Sequence, residues 1–309
     1  MSSASHMAYS EADIDKARNA MVDDLLHRQI ISIPALARAF RRVPRHAIAS
    51  PPYIIASDLL GTECVYTDDP RSVYTDAAVA LTRDRDLWCP PPSTTARQLE
   101  QLAALEGMRI LHVETGSGYG TALLADLVAE RGSVVGVNHG AAATELSSAF
   151  LVQAECTNVT VHSGDGAAGA PDAGPFDRIL VSAGAADIAP AWIEQLGEDG
   201  RLVLPLCYLG PLGSRISFGA LLTVDKSSRG LTGSIASALI VAPLPGALAP
   251  EEDVRLADGL QRWFALEDFY RTEFPLRLLM KSDTASAPDP SAVPWMLETR
   301  TTTMWVEPN

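Results

Sequence analysis

The chain has 309 residues, of which 47% are hydrophobic and 20% charged, proportions typical of a globular protein and not of a disordered one. Its formal net charge is −14, which weighs against a nucleic-acid partner because a polyanion needs a basic surface to bind. No apolar run is long enough to cross a bilayer and no signal-peptide pattern opens the chain, so we expect no membrane partner and a cytoplasmic location; the oligomeric state is left open.

The N-terminal region, residues 8–92, is predicted to consist of helices and loops. Residues 1–7 contain Ser5-His6-Met7, which resembles a cloning remnant, and are excluded from the fold prediction. Apolar residues at helical spacing predict helices over 11–29 and 33–42. A basic group near the end of the second helix is expected to be solvated; it comprises Arg38, Arg41, Arg42, Arg45 and His46.

Residues 93–242 alternate short apolar runs with helical segments. A helix over 93–105, capped by Ser93 or Thr94, begins this region. The predicted strands that follow cover 109–114, 133–138, 159–162, 176–181 and 200–206, and the predicted helices cover 119–130, 142–153 and 190–196. Such alternation is typical of βαβ units, so we predict an α/β fold with a doubly wound, mostly parallel sheet.

The end of the chain departs from this alternation. Runs at 218–224 and 235–241 are predicted to be antiparallel strands that close the sheet. Residues 243–309 are rich in proline at first, then contain a helix near 251–266 and a threonine-rich tail at 299–306. We expect this segment to be a C-terminal extension appended to the α/β domain.

A turn containing two glycines joins the first strand of the α/β region to its helix. Its residues are Glu114, Thr115, Gly116, Ser117 and Gly118. Glycine lacks the Cβ that would block a nucleoside, and the helix N-terminus beyond offers free N–H groups. The NAD fingerprint is not met, since its third glycine would fall at Thr121 and the second strand ends in Asn138 instead of an acid. An NAD-dependent oxidoreductase is therefore poorly supported.

Five ordered motifs lie between residues 15 and 206. They are RVPRH at 42–46, ILHVETGSGY at 110–119, NV at 158–159 with GDG at 164–166, PFDRI at 175–179, and QL at 195–196 with GRLV and a proline at 200–205. Together they resemble the motifs of the protein-L-isoaspartate O-methyltransferase family. The resemblance implies a Rossmann-like, class I methyltransferase fold with S-adenosylmethionine as cofactor. It places the cofactor against residues 114–118, Asn138, Asp165 and Gly166, with Asp165 beside the adenine.

Four positions depart from the family pattern. His112 stands where the family has an acid in its first motif, Glu114 where it has its first glycine, and Asn138 where it has a ribose-binding acid. The serine of a Ser-x-Pro loop corresponds to Cys89. Glu114 either repels the carboxylate of the cofactor or binds its ammonium group, depending on the direction of the side chain.

The candidate catalytic residues each have a structural alternative. Cys89 has only Arg83 and Arg85 as basic sequence neighbours, which favours a packed thiol over a reactive one. His112 is equally compatible with a core histidine and a ligand-facing imidazole. Tyr74 and Asp76 are loop candidates for the acceptor pocket or ordinary turn residues. The four cysteines show no metal-ligand spacing, so neither a metal site nor a disulfide is expected.

The resemblance implies a carboxyl O-methyltransferase that acts on a peptide aspartyl or isoaspartyl group, or on a small natural-product carboxylate. The sequence VYTD at 73–76, Ala191-Trp192 and the long C-terminal segment resemble family members associated with ribosomally made peptide natural products. The four departures leave an alternative open. In that hypothesis the fold has given up S-adenosylmethionine and serves as a cyclase, isomerase, dehydratase or binding module.

Overall fold

The computed structural model describes residues 9–58, 61–209, 217–251, 253–264, 276–281, 283, 287–290 and 296–306. The suspected cloning remnant at 1–7 and the last two residues of the helix predicted near 251–266 lie outside these ranges. No helix in the described residues is both long enough and apolar enough to cross a membrane.

The N-terminal region contains the two predicted helices, α1 (Glu11–His27) and α2 (Pro34–Arg42). It also contains a four-stranded sheet that the sequence did not predict, in the order β2-β1-β3-β4. The strands are β1 (Tyr53–Ala56), β2 (Cys64–Thr67), β3 (Val79–Ala80) and β4 (Trp88–Cys89). Strands of two to four residues are too short to show a periodic pattern, which explains why they were missed.

The central sheet confirms the predicted fold class. Its parallel strands are β5 (Arg109–Val113), β6 (Ser133–Asn138), β7 (Val159–Ser163), β8 (Phe176–Val181) and β9 (Leu196–Leu209). The hairpin β10 (Ser217–Ser227) and β11 (Gly230–Val241) continues it antiparallel to β9, as predicted. The helices are α3 (Pro92–Leu102), α4 (Tyr119–Val128), α5 (Ala141–Gln153), α6 (Pro190–Gln195) and α7 (Val254–Phe264).

The start of α3 differs from the prediction. Pro91 occupies the N-cap position and no side chain caps the helix, so Ser93 and Thr94 lie inside its first turn. The Ser93 backbone N–H instead donates to Asp76 Oδ1 at 2.9 Å. A carboxylate from a preceding loop thus satisfies one of the free donors at this helix end.

The segment after residue 243 adds strands to the edge of the same sheet, which the sequence did not predict. Three further strands, β12 (Leu276–Met280), β13 (Met296–Glu298) and β14 (Thr302–Val306), give the order β13-β14-β12-β11-β10-β9-β8-β5-β6-β7. Asp187, which is 1% exposed, accepts hydrogen bonds from the Thr299 hydroxyl at 2.5 Å and the Thr301 N–H at 2.8 Å. This buried carboxylate links the end of the chain to the loop after β8.

The sheet is covered on both faces. Leu180 of β8 packs in a core with α1 to α5, whereas its neighbours Ile179 and Val181 pack in a second core with α6 and α7. Because successive residues of a strand point to opposite faces, an uninterrupted apolar strand is the expected pattern for a sheet buried between helices. Polar residues that could bind a ligand are therefore expected in the turns at the carboxyl edge of the sheet.

Candidate active site

The turn after β5 holds three residues in the left-handed region. Glu114, Gly116 and Gly118 have φ values of +58°, +55° and +80°. A Cβ on Gly118 would lie 3.0 Å from the Ser147 carbonyl oxygen, so glycine there is needed for packing against α5. A Cβ on Gly116 would meet nothing within 4 Å, so this residue borders open space. The turn is therefore accessible to a ligand at Gly116.

Asn138 at the end of β6 is fully buried and is used to hold the turn in place. Its Oδ1 accepts a hydrogen bond from the Gly116 N–H at 3.0 Å, and its Nδ2 donates to Ser147 Oγ at 3.0 Å. The amide thus connects the turn to α5. The Thr115 hydroxyl beside it is buried without a partner among the described residues, whereas Ser117 Oγ accepts from the Tyr119 N–H at 3.2 Å.

The Glu114 side chain lies over the end of β6. Its Oε1 accepts a hydrogen bond from the His139 N–H at 2.9 Å and would be 3.8 Å from a Cβ on Gly166. Burial, together with the nearby Asp165 carboxylate, raises the pKa of Glu114 to about 7. The carboxyl group therefore occupies the side of the turn on which the resemblance places the ribose and adenine.

Asp165 is exposed at the loop after β7, and its carboxylate caps the turn that begins at Gly166. Oδ1 accepts from the Ala167 N–H at 3.0 Å and Oδ2 from the Ala247 N–H at 3.4 Å. A Cβ on Gly246, which has a φ of +90°, would lie 2.8 Å from Oδ1. A glycine at 246 therefore lets a loop that lies beyond β11 approach this carboxylate.

His112 lies in the core. It is 1% exposed, and its ring is hydrogen-bonded to Thr121 Oγ1 at 2.8 Å and to Ser182 Oγ at 2.6 Å. Burial lowers the pKa of His112 to about 3, so the ring is neutral. With both nitrogens engaged, the structure favours the core-histidine interpretation over a ligand-facing one.

Arg45 contradicts the expectation of a solvated basic group. Its side chain is 0% exposed and donates to Val73 O at 2.8 Å, Pro90 O at 2.7 Å and Cys89 Sγ at 3.0 Å. The guanidinium carbon also lies 5.2 Å from the centre of the Tyr119 ring. The basic neighbour of Cys89 is thus Arg45, not Arg83 or Arg85 as the sequence suggested. Cys89 itself is 1% exposed, which favours a packed thiol.

A cleft of about 630 Å³ opens at the carboxyl edge of β9, beside α3; we call it the acceptor cleft. Its lining includes residues of β10, β11 and α7, together with Asp76, Ser93, Thr94, Arg97, Tyr208 and Phe218. Asp76 is already paired, with Arg28 Nη1 at 2.8 Å. The Tyr74 hydroxyl is hydrogen-bonded to His46 Nδ1 at 2.8 Å and is not part of the lining.

Arg97 was not predicted as a site residue. It is exposed on α3, and no hydrogen bond or ion pair joins it to another residue in the described ranges. Tyr208 and Phe218 were missed as well. They are paired across the consecutive strands β9 and β10, and what the sequence does not show is that α3 packs beside this pair. The described residues contain no cluster of metal-ligating side chains.

The sequence of this chain matches one known protein family over most of its length. The sequence model of the protein-L-isoaspartate(D-aspartate) O-methyltransferase family matches residues 16–211, more than half of the chain. The chain belongs to this family. A relative from Opitutus terrae is 34% identical over 204 residues, covering 65% of this chain and 77% of the relative. One from Methanococcoides burtonii is 31% identical and covers 67% of this chain and 90% of the relative. Both are named protein-L-isoaspartate O-methyltransferase.

Solved structures agree on the fold. A protein-L-isoaspartate O-methyltransferase structure superposes with a TM-score of 0.58 at 21% identity, covering 94% of this chain and 88% of that one. A Plasmodium falciparum structure in complex with S-adenosyl-L-homocysteine gives 0.57 at 17% identity, with coverage of 74% and 98%. The predicted class I methyltransferase with a Rossmann-like fold is thus confirmed, and the cofactor of the family is S-adenosylmethionine. Open space at Gly116 and the exposed Asp165 carboxylate fit an adenosyl group.

Proposed function

We propose that this methyltransferase esterifies a carboxylate on a peptide, at an aspartyl or isoaspartyl residue, or on a small natural product. The acceptor cleft carries the proposal, because it joins an apolar cavity to a cation without a protein partner in the described ranges. Arg97 is suited to hold an anionic substrate, since its guanidinium matches a carboxylate in shape and charge.

The position of the cleft supports this assignment. Gln98 Nε2 on α3 donates to the Ser182 carbonyl oxygen at 3.1 Å, which fixes the helix against the loop that follows β8. Thr94 lies one helical turn before Gln98 and lines the cleft. Helix α3 therefore links the acceptor cleft to the loop after β8, the strand that pairs with β5.

Methyl transfer to a carboxylate needs alignment and the removal of water more than it needs an acid or a base. When bound, S-adenosylmethionine supplies an electrophilic methyl group on a sulfonium. The exposed Asp165 carboxylate would accept from the adenine amine, and the open backbone at Gly116 would leave room for the remainder. An acceptor carboxylate that is already ionised would need no base to receive this methyl group, so the residues of this chain would have to bind and orient it and exclude water. The buried, occupied Cys89 and His112 fit this lack of an acid or base.

The far wall of the cleft supports an acceptor specific to a natural-product precursor. Leu239 and Ile240 of β11 and Leu260 of α7 line it, and all of them lie after residue 211, where the match to the family ends. A wall of this composition prefers a carboxylate with apolar neighbours. We therefore extend the proposal to a peptide or small molecule of that kind.

The test is methyl transfer from labelled S-adenosylmethionine to a panel of aspartyl, isoaspartyl and amidated peptides, with and without apolar residues beside the acceptor. We expect label in a base-labile ester, favoured by apolar neighbours. Arg97→Ala should raise KM for anionic peptides about tenfold or more, as loss of a charge-assisted hydrogen bond does, while Arg97→Lys should recover part of it. Arg38→Ala, at an exposed arginine on α2, is the matched control. Label in a base-stable product, or in none of the carboxylates while the cofactor binds, would rule out the proposal.

A further inference from the structure

The family's ribose-binding acid is absent at 138, yet a carboxyl group lies beside that position. We propose that Glu114 supplies the missing acid and accepts hydrogen bonds from the ribose hydroxyls of the cofactor. The role has thus moved from the end of β6 to the end of β5. This inference concerns the nucleoside alone and holds whichever carboxylate is methylated.

Asn138 is poorly placed to bind a ribose itself. Its side chain is 0% exposed, its Oδ1 already accepts from Gly116, and its Nδ2 already donates to Ser147. Two vicinal hydroxyls need acceptors, and an amide offers one oxygen where a carboxylate offers two. The buried amide therefore acts as a brace for the turn.

Glu114 has the geometry for the task. Its carboxyl accepts a hydrogen bond from the N–H of His139, which directly follows Asn138. The carboxyl therefore lies next to the position at which the family has its acid. Only Oε1 is engaged there; Oε2 takes no hydrogen bond from the residues that the structure describes. The side chain also lies near Gly166, next to the Asp165 carboxylate that we assign to the adenine. A nucleoside held by Asp165 and the Gly116 turn would have this oxygen as a nearby acceptor.

The backbone at Glu114 adopts a conformation that glycine adopts more readily. Glu114 has a φ of +58°, a conformation that costs an L-residue more than it costs glycine. The family's glycine would avoid that cost. Six other non-glycine residues in the described ranges, Glu155 among them, also have a positive φ, so this conformation assigns no role by itself. The inference is carried by the free Oε2 and by its place near Asp165.

The inference is tested by calorimetry with S-adenosylhomocysteine and its 2′-deoxyribosyl analogue, with no turnover involved. At about pH 8.5, above the pKa of about 7 so that the Glu114 carboxyl is ionised, we expect Glu114→Gln to weaken the binding of S-adenosylhomocysteine about 10- to 100-fold, the range for hydrogen bonds to a charged group. The affinity for the deoxy analogue should change much less. Glu114→Gly should behave similarly, and it introduces the family's own residue, which favours correct folding.

The matched control is Glu155→Gln. Glu155 is an exposed glutamate after α5 with a φ of +56°, and its replacement should leave both dissociation constants unchanged. Equal losses for the two ligands in Glu114→Gln, or no loss at all, would overturn the inference. Tighter binding by Glu114→Gly would also overturn it, and would mean that the wild-type carboxyl obstructs the nucleoside site.

Discussion

Glu114 makes a pH-dependent contribution to stability that can be isolated by one substitution. Burial, with a smaller effect from Asp165, raises its pKa from 4.5 to about 7 in the folded protein. In the unfolded chain the group ionises near its usual value, so between these two pH values the folded state binds more protons than the unfolded state. The free energy of unfolding therefore falls as pH rises through this window, and the loss is complete above it.

The size of the effect follows from the pKa difference. A change from 4.5 to about 7 corresponds to up to ~3 kcal/mol, at about 1.4 kcal/mol for each unit. Glu114→Gln keeps the shape of the side chain and the acceptor for the His139 N–H but removes the titration. We expect the variant to gain stability over the wild type by about 2 kcal/mol as the pH is raised from about 5 to 8.

Urea unfolding of both proteins at several pH values measures this difference. The subtraction is needed because the buried His112 and the half-buried His46 have lowered pKa values and act in the opposite direction, losing stability as the pH falls. Their contribution is the same in both proteins and cancels. The free energy of unfolding of Glu155→Gln should change with pH in the same way as that of the wild type. A constant gap between the Glu114→Gln and wild-type curves would refute the buried, perturbed carboxyl on which the reasoning depends.

Three further substitutions test other parts of the structure by chemical denaturation. Because burial holds the pKa of His112 at about 3 against 6.5 in the unfolded chain, His112→Asn should flatten the loss of stability as pH falls below 6.5, and an unchanged slope would contradict the assignment. Arg45→Met leaves buried carbonyl groups without a donor and should lower the free energy of unfolding by about 2–4 kcal/mol, whereas Arg38→Met at an exposed site should change it by less than about 0.5 kcal/mol. Gly118→Ala places a Cβ 3.0 Å from the Ser147 carbonyl oxygen at a φ of +80°, so it should lower the free energy of unfolding by about 1–2 kcal/mol. An unchanged free energy of unfolding would show that α5 can shift to make room for the methyl group.

The regular part of the fold was predictable because its signals are local. Strands β6 and β8 have the predicted bounds, 133–138 and 176–181, because each is a continuous apolar run set between helical segments. The extension after residue 243 could not be assigned in the same way. Its strands join the sheet through partners far away in sequence, as β12 does with β11, and pairing of this kind leaves no periodic mark in the segment itself.

The candidate site likewise has features that the sequence predicts and features that depend on distant contacts. The glycine turn was found from sequence because positive φ and close approach restrict residue type. The direction of the Glu114 side chain could not be found, since it depends on the His139 N–H at the end of a different strand. Arg45 shows the same limit, because a charged residue beside other arginines looks solvated until Val73 and Pro90 are brought around it.

The substitutions at 112, 114 and 138 are better understood together than as separate losses. Asn138, without a charge, is stable in full burial and braces the turn through Gly116, a place where an unpaired carboxylate would be costly. His112 fills the core as a neutral ring between two hydroxyl groups, so it too needs no counter-charge. Glu114 then supplies the carboxyl group of the site, on the side of the turn that we assign to the nucleoside. A relocated ribose acceptor would account for a carboxyl that is held by the His139 N–H through one oxygen and leaves the other without a hydrogen bond from the described residues, close to Asp165.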